Sequence, residues 1–278
     1  MLLHSRGRCL DLSRPQIMGI LNVTPDSFSD GASYQSLDDV LRRASIMVEE
    51  GATIIDIGGE STRPGADEVL LDEELSRVIP AVERLSAELD VWISVDTYKS
   101  GVMREAIIAG AHLINDIRAL QEPGALEVVA ESEVAICLML MQGEPRTMQL
   151  SPHYDDLLTD ISTFFKQRLD VLFDAGIPSE RILLDPGFGF GKTLEQNYEL
   201  LANLEHFACF GLPLLVGMSR KSMIGQLLDR PITERLVGSI AAALYAVRKG
   251  ARIIRVHDVK ESADALRVFS YADEFIRS

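Results

Sequence analysis

Apolar and polar residues follow two alternating patterns along the chain. Short, nearly continuous apolar runs predict strands at Ile17–Leu21, Thr53–Ile57, Val91–Val95, His112–Asn115, Val134–Leu138, Ile182–Asp185, Leu214–Val216 and Ile253–Val256. Longer stretches between them carry apolar residues at helical spacing, among them Leu37–Glu50, Glu73–Glu88, Gly101–Ala109, Asp156–Ala175 and Glu234–Lys249. Ser36 with Asp39 and Thr193 with Gln196 have the spacing of N-terminal capping boxes. Gly51, Gly110, Gly176 and Gly250 each end a helical stretch, where a left-handed cap favours glycine.

Strand–helix alternation predicts a parallel sheet. About eight units with no break in composition predict a TIM (β/α)8 barrel formed by a single domain over residues 1–278. The alternative is a doubly wound open sheet. The longest irregular connections are 22–35, 58–71 and 142–152.

Composition narrows the class. The 278 residues are 47% hydrophobic and 25% charged, values of an ordinary globular protein rather than a disordered one. The net charge of −15 repels phosphate backbones, so no nucleic-acid partner is expected. The three cysteines are scattered and form no CxxC pair, so neither a zinc nor a redox motif is indicated and a reducing cytoplasm is expected. The first residues meet charge and glycine early, unlike a signal peptide. The longest apolar run, Val134–Met141, is far too short to span a membrane, so no membrane partner is expected.

A parallel barrel collects its chemistry at the C-terminal ends of its strands. There the chain has Asn22, Asp56, Asp96, Asn115, Asp116 and Asp185, then Ser219, Arg220 and Lys221, and finally Arg255, His257 and Asp258. Any one of these suits a helix cap or turn. Together they form a rim of acids and amides with cations from the last two strands, suited to a flat hydrogen-bonding heterocycle. Asp and Asn would accept from its N–H groups, Lys221 would donate to it, and Met139 would supply an apolar wall. Arg63, Arg255 and His257 suit a phosphate-like anion. The run Gly187-Phe188-Gly189-Phe190-Gly191-Lys192-Thr193 is not a P-loop, because Pro186 stands where that motif needs glycine. Its expected role is a flexible strand-to-helix loop that lets backbone approach a ligand.

These blocks resemble a known family, the dihydropteroate synthases of folate synthesis. The resemblance is carried by Met18–Gly31, Asp56–Gly65, Ser94–Thr97, Ile114–Ile117, Leu184–Lys192, Ser219–Ser222 and Arg255–Asp258. It covers nearly the whole chain and looks like the bacterial monofunctional type. It implies a homodimeric barrel that joins 6-hydroxymethyl-7,8-dihydropterin diphosphate to 4-aminobenzoate, releases diphosphate and requires Mg²⁺. By matching motif, Asp96, Asn115, Asp185 and Lys221 would hold the pterin. Asn22 would bind Mg²⁺ and, with Arg63, Arg255 and His257, the diphosphate. Thr62, Pro64, Phe190 and Ser219 would border the aminobenzoate, beneath a loop bearing Phe28 and Asp30. Of these, Arg63, Asp96, Lys221, Arg255 and His257 are the expected catalytic residues.

Three departures stand out. Met139-Leu140-Met141 replaces the family's usual Met-His-Met, and strand alternation turns Leu140 away from Met139. Tyr98 and Ser100 alter the start of the helix after Asp96, and Ala32 replaces a glycine in the first loop. Leu140 is the one feature favouring a non-catalytic pterin-binding paralogue; the intact anion-binding set opposes it. A methyltetrahydrofolate-dependent methyltransferase shares the barrel but has no need of a diphosphate pocket.

Overall fold

The computed structural model describes residues 1–24, 37–60, 69–142 and 152–275. Eight parallel strands close into a barrel: β3 (Gln16–Asn22), β4 (Ile54–Gly58), β5 (Trp92–Asp96), β6 (Leu113–Asp116), β7 (Ala135–Met139), β8 (Ile182–Asp185), β9 (Leu214–Val216) and β10 (Ala251–Val256). They neighbour one another in chain order, with β10 returning to β3. The predicted barrel is thus the observed one, and each predicted strand lies within one or two residues of its observed counterpart. The open doubly wound sheet is excluded by closure.

Helices cover the outside: α1 (Leu37–Glu49), α2 (Leu71–Glu88), α3 (Ser100–Ala109), α4 (Ala125–Ala130), α5 (Leu157–Asp174), α6 (Leu194–Ala202), α7 (Ser222–Leu228), α8 (Leu236–Arg248) and α9 (Val259–Glu274). Their start and stop signals act as read. Thr193 and Gln196 form a reciprocal capping box at the start of α6. Gly51, Gly110, Gly176 and Gly250 all take positive φ. Ser36 lies outside the described residues. The chain also forms a short hairpin that the apolar pattern did not predict, β1 (Leu2–Ser5) and β2 (Arg8–Asp11).

Period-two alternation divides every barrel strand between two cores. Outward residues such as Ile55, Ile57, Ile93, Val95, Ile114 and Ile136 pack with the helices. Inward residues Met18, Ile54, Trp92, Leu113, Cys137, Leu183, Leu215 and Ile253 fill the barrel, joined by Leu3, Leu10 and Leu12 from the hairpin segment. One inward step further along, the side chains become polar on β4, β5, β6, β8 and β10, while β3 and β7 carry Ile20 and Met139. No helix among the described residues is long and apolar enough to cross a membrane.

Candidate active site

The polar layer is built by positions two residues beyond the apolar one. Asp56 follows Ile54, Ser94 follows Trp92 with Asp96 one inward step beyond it, Asn115 follows Leu113, Asp185 follows Leu183 and Arg255 follows Ile253. Asp56 is fully buried and acts as the hub. Ser94 Oγ donates to Asp56 Oδ1 at 2.6 Å. Asn115 Nδ2 donates to Oδ2 at 3.3 Å, and Arg255 Nε donates to the same oxygen at 2.6 Å. The second arm of Arg255 reaches Asp96 Oδ2 at 2.7 Å. The guanidinium therefore lies between two carboxylates, held in one orientation. Those charges, outweighing the cost of its burial, push its pKa further up.

Asp96 and Asn115 each keep one buried oxygen in reserve. Among the described residues, Asp96 Oδ1 and Asn115 Oδ1 have no hydrogen-bond partner. A buried acceptor left unmet costs about 1–3 kcal/mol. Two on adjacent strands at the barrel mouth are a cost that a donor-rich ligand offsets. Burial outweighs the neighbouring Arg255 and pushes the Asp96 carboxyl up to about 7, with Asp56 adding to the shift.

Across the mouth, Asp185 is buried and raised by burial against the pull of Lys221. Its Oδ1 accepts from Gly187 N at 2.8 Å, which starts the glycine-rich turn. Lys221 Nζ donates to Phe188 O at 2.6 Å and lies 4.3 Å from the centre of the Phe190 ring. Burial lowers Lys221 to about 8, with Asp185 opposing the shift. Gly187 and Gly189 have φ of +73° and +78°. A Cβ at Gly187 would sit 1.9 Å from Leu140 O, and one at Gly189 3.0 Å from Lys221 Cδ. Glycine is required here both by conformation and by close approach.

Met139 and Phe190 share a small apolar cluster with Ile117 and Tyr98, the expected wall. Leu140 packs instead with the outer core, as alternation predicts, so its side chain is not part of the inner wall. Ser219 Oγ accepts from His257 N at 3.1 Å and lies 3.0 Å from His257 Nδ1, joining the ends of β9 and β10. Arg220, at φ +60°, forms a two-pronged pair with Asp258 and so braces that junction. Asn22 is half-buried at the end of β3, beside Gly58. A Cβ on Gly58 would approach Asn22 Oδ1 to 3.3 Å, so the glycine leaves room around that oxygen.

Some expected residues take other roles or lie elsewhere. Asp116 Oδ atoms accept from Arg118 N and Leu120 N, which makes it a turn residue. Phe28, Asp30, Ala32, Thr62, Arg63 and Pro64 lie outside the described residues. Two features escaped the reading of strand ends. Asp56 stood among the rim residues without an assigned role, yet it orients Arg255. Lys99 forms a buried ion cluster with Glu60 and Glu74, although Glu74 reads in the sequence as part of an ordinary acidic helix start. Tyr98 is also more than a helix-start change: it is buried in the inner cluster, and its hydroxyl lies 3.4 Å from Glu60 Oε1.

The family described as "Pterin binding enzyme" matches residues 18–257, a span that includes every described rim residue except Asp258. The chain is similar to the dihydropteroate synthase of Escherichia coli strain K12, with 59% identity over 268 residues, 96% of this chain and 95% of that one. The chain belongs to the dihydropteroate synthase family. It is accordingly a transferase of folate synthesis. Two solved dihydropteroate synthases extend the comparison. The Yersinia pestis enzyme in a sulfonamide drug complex superimposes with a TM-score of 0.94 at 59% identity, covering 99% of this chain and 100% of its own. The Xanthomonas albilineans enzyme with 4-aminobenzoic acid gives 0.92 at 47%, covering 98% of each chain.

Proposed function

We propose that this rim binds 6-hydroxymethyl-7,8-dihydropterin diphosphate and 4-aminobenzoate and joins them into 7,8-dihydropteroate. The paired buried acceptors of Asp96 and Asn115 carry the reading. They match the ring N–H and amino donors of a pterin, while Lys221 faces them with a donor for its carbonyl or ring nitrogen. Asp185 completes the acceptor set, and Met139 and Phe190 supply apolar surface for the ring.

The reaction exchanges one bond at the pterin CH₂. The C–O bond to diphosphate breaks with its electron pair leaving on oxygen; the arylamine nitrogen bonds to the same carbon and gives up one proton. Carboxylates of Asp96 and Asp185 favour positive charge on the ring as the bond breaks. Arg255, His257 and Arg63 bind the departing anion. Arg255 is held ready for this by Asp56, though it must share its charge with two carboxylates. Thr62, Pro64, Phe190, Ser219 and Phe28 border the aminobenzoate.

Among the described residues no group of three His, Cys, Asp or Glu could hold a metal. Mg²⁺ is commonly held by few protein oxygens together with substrate phosphates. Asn22 is the side chain that would hold it, using the oxygen for which Gly58 leaves room. When bound, the ion neutralises charge on the departing diphosphate.

We further read the chain as one domain, a cytoplasmic homodimer. Leu227 and Leu228 of α7, Ile232 just after it, and Val237 and Tyr245 of α8 are exposed apolar residues on consecutive elements, which supports a subunit contact there. The chain is expected to bind sulfonamides in place of aminobenzoate, with inhibition competitive in aminobenzoate as the check. Leu140 gives the non-catalytic paralogue little support, since its side chain packs away from the inner wall. The deciding experiment measures diphosphate release from the pterin substrate with Mg²⁺, with and without 4-aminobenzoate. Aminobenzoate-dependent release with dihydropteroate appearing supports the synthase; tight pterin binding with no product would favour the paralogue.

A further inference from the structure

We propose that Lys192 is a positioning residue for Lys221, acting through the glycine turn that lies between them. The proposal rests on the reading of Lys221 as a pterin ligand. Lys192 is the lysine that a phosphate-binding loop would aim at its ligand. Here it folds back instead. Its Nζ donates to Gly187 O at 2.9 Å and to Phe190 O at 3.2 Å, and the residue is 3% exposed.

The carbonyls of the turn are thus divided between two lysines. Lys192 takes those of Gly187 and Phe190, and Lys221 takes that of Phe188 between them. Rotating any of these peptides would turn the Phe188 carbonyl or the Phe190 ring away from Lys221. Gly187, Gly189 and Gly191 all hold positive φ, so the turn has little intrinsic stiffness. Asn197 of α6 supports it from the same side as Lys192. Its Oδ1 accepts from Gly189 N at 2.7 Å, and its Nδ2 donates to Lys192 O at 3.3 Å and Thr193 O at 2.7 Å.

A buried ammonium whose hydrogen bonds go to carbonyls is an expensive choice. Burial depresses Lys192 to about 7 although Asp185 opposes the shift. A methionine would fill similar space without that desolvation. What it could not do is cross-link two carbonyls three residues apart and leave the one between them aimed at the site.

The test is a double-mutant cycle read by calorimetry with pterin-6-carboxylate, with all variants at one pH. Lys192→Met should weaken pterin binding about tenfold, the size of one misaligned charge-assisted hydrogen bond. Lys221→Met should weaken it at least as much. If Lys192 acts through Lys221, adding Lys192→Met to Lys221→Met costs nothing further. Additive losses overturn the proposal, as does parent-like binding by folded Lys192→Met. Parent-like binding by Lys221→Met alone overturns the pterin assignment of Lys221 itself, and the route from Lys192 falls with it. Thermal unfolding checks that each variant is folded. Should Lys192→Met not fold, Asn197→Ala takes its place in the same cycle, with the same two outcomes.

Discussion

The two ends of the barrel are made by the same strands and the same alternation, yet they are filled in opposite ways. At the lower end Met18, Ile54, Trp92, Leu113, Cys137, Leu183 and Ile253 close on one another and on the leucines of the hairpin segment. Two residues further along those strands stand Asp56, Ser94, Asn115, Asp185 and Arg255, with Asp96 one inward step above Ser94; all but Asp185 are bound to each other by ion pairs and hydrogen bonds, with acceptors to spare. The lower layer gains from burial of apolar surface and holds no charged side chain. The upper layer bears desolvation that its internal pairs only partly offset. The site therefore has its scaffold directly beneath it and its strain within it.

The largest effect expected from breaking this contrast is at Asp56. Asp56→Ala would leave Arg255 with one carboxylate, and Ser94 and Asn115 without their shared acceptor. Truncating one partner of a buried charge pair costs about 2–5 kcal/mol. The catalytic efficiency should fall by about a hundredfold or more, with pterin and diphosphate binding both impaired. Parent-like kinetics would mean that Arg255 needs no carboxylate to hold it.

The matching change below is Trp92→Ala. It should lower stability by about 3–5 kcal/mol in denaturant titration, the usual cost of emptying a large aromatic site. KM for both substrates should stay unchanged at a temperature where the variant is folded. A shift in KM of the size caused by Asp56→Ala would show that the two layers are not separable.

A smaller effect separates the layers by pH. Burial raises Asp96 from 3.8 to about 7 in the folded chain. The folded state then holds that proton more tightly than the unfolded one, so the Asp96 contribution to stability is full below about pH 4 and is lost as pH rises through about 7. Pterin binding wants the opposite, an ionised acceptor facing ring N–H groups. Lys221, lowered to about 8, must keep its proton to donate. Pterin affinity in calorimetry should thus rise through about pH 7 and fall again above about 8, by about tenfold on each side. In Asp96→Asn the rising limb should disappear and the loss of stability toward neutral pH should shrink.

Much of this contrast was legible in the residues before any coordinates. The eight strands follow from apolar runs bounded by glycine caps, and the polar rim follows from reading what ends each strand. The hairpin was not legible for a physical reason. Its two-residue loop is Arg6-Gly7, both with positive φ, whereas such turns are usually signalled by Asn or Asp before the glycine. Its strands are also only four residues each. The Lys99 cluster was hidden because its partners are 25 and 39 residues away, on the start of α2 and just after β4. Asp56 was visible as a strand end, but only the folded barrel brings Arg255 to it from 199 residues away.

The smallest effect tests what an unmet polar atom means in each region. Tyr154 Oη is buried without a partner among the described residues, as are Asp96 Oδ1 and Asn115 Oδ1. Burial pushes its phenol up, and its ring lies 5.6 Å from the Lys192 ammonium. The tyrosine lies three residues before the start of α5 and packs against the outer core. Removing an unpartnered hydroxyl removes its desolvation cost and nothing else, so Tyr154→Phe should be neutral or stabilising by up to about 1 kcal/mol, with unchanged kinetics. At the mouth the same kind of unmet oxygen is expected to be met by ligand, and its removal should weaken pterin binding. A Tyr154→Phe variant that lost stability would show that the hydroxyl has a partner after all; one that lost pterin affinity would extend the site outward past Lys192.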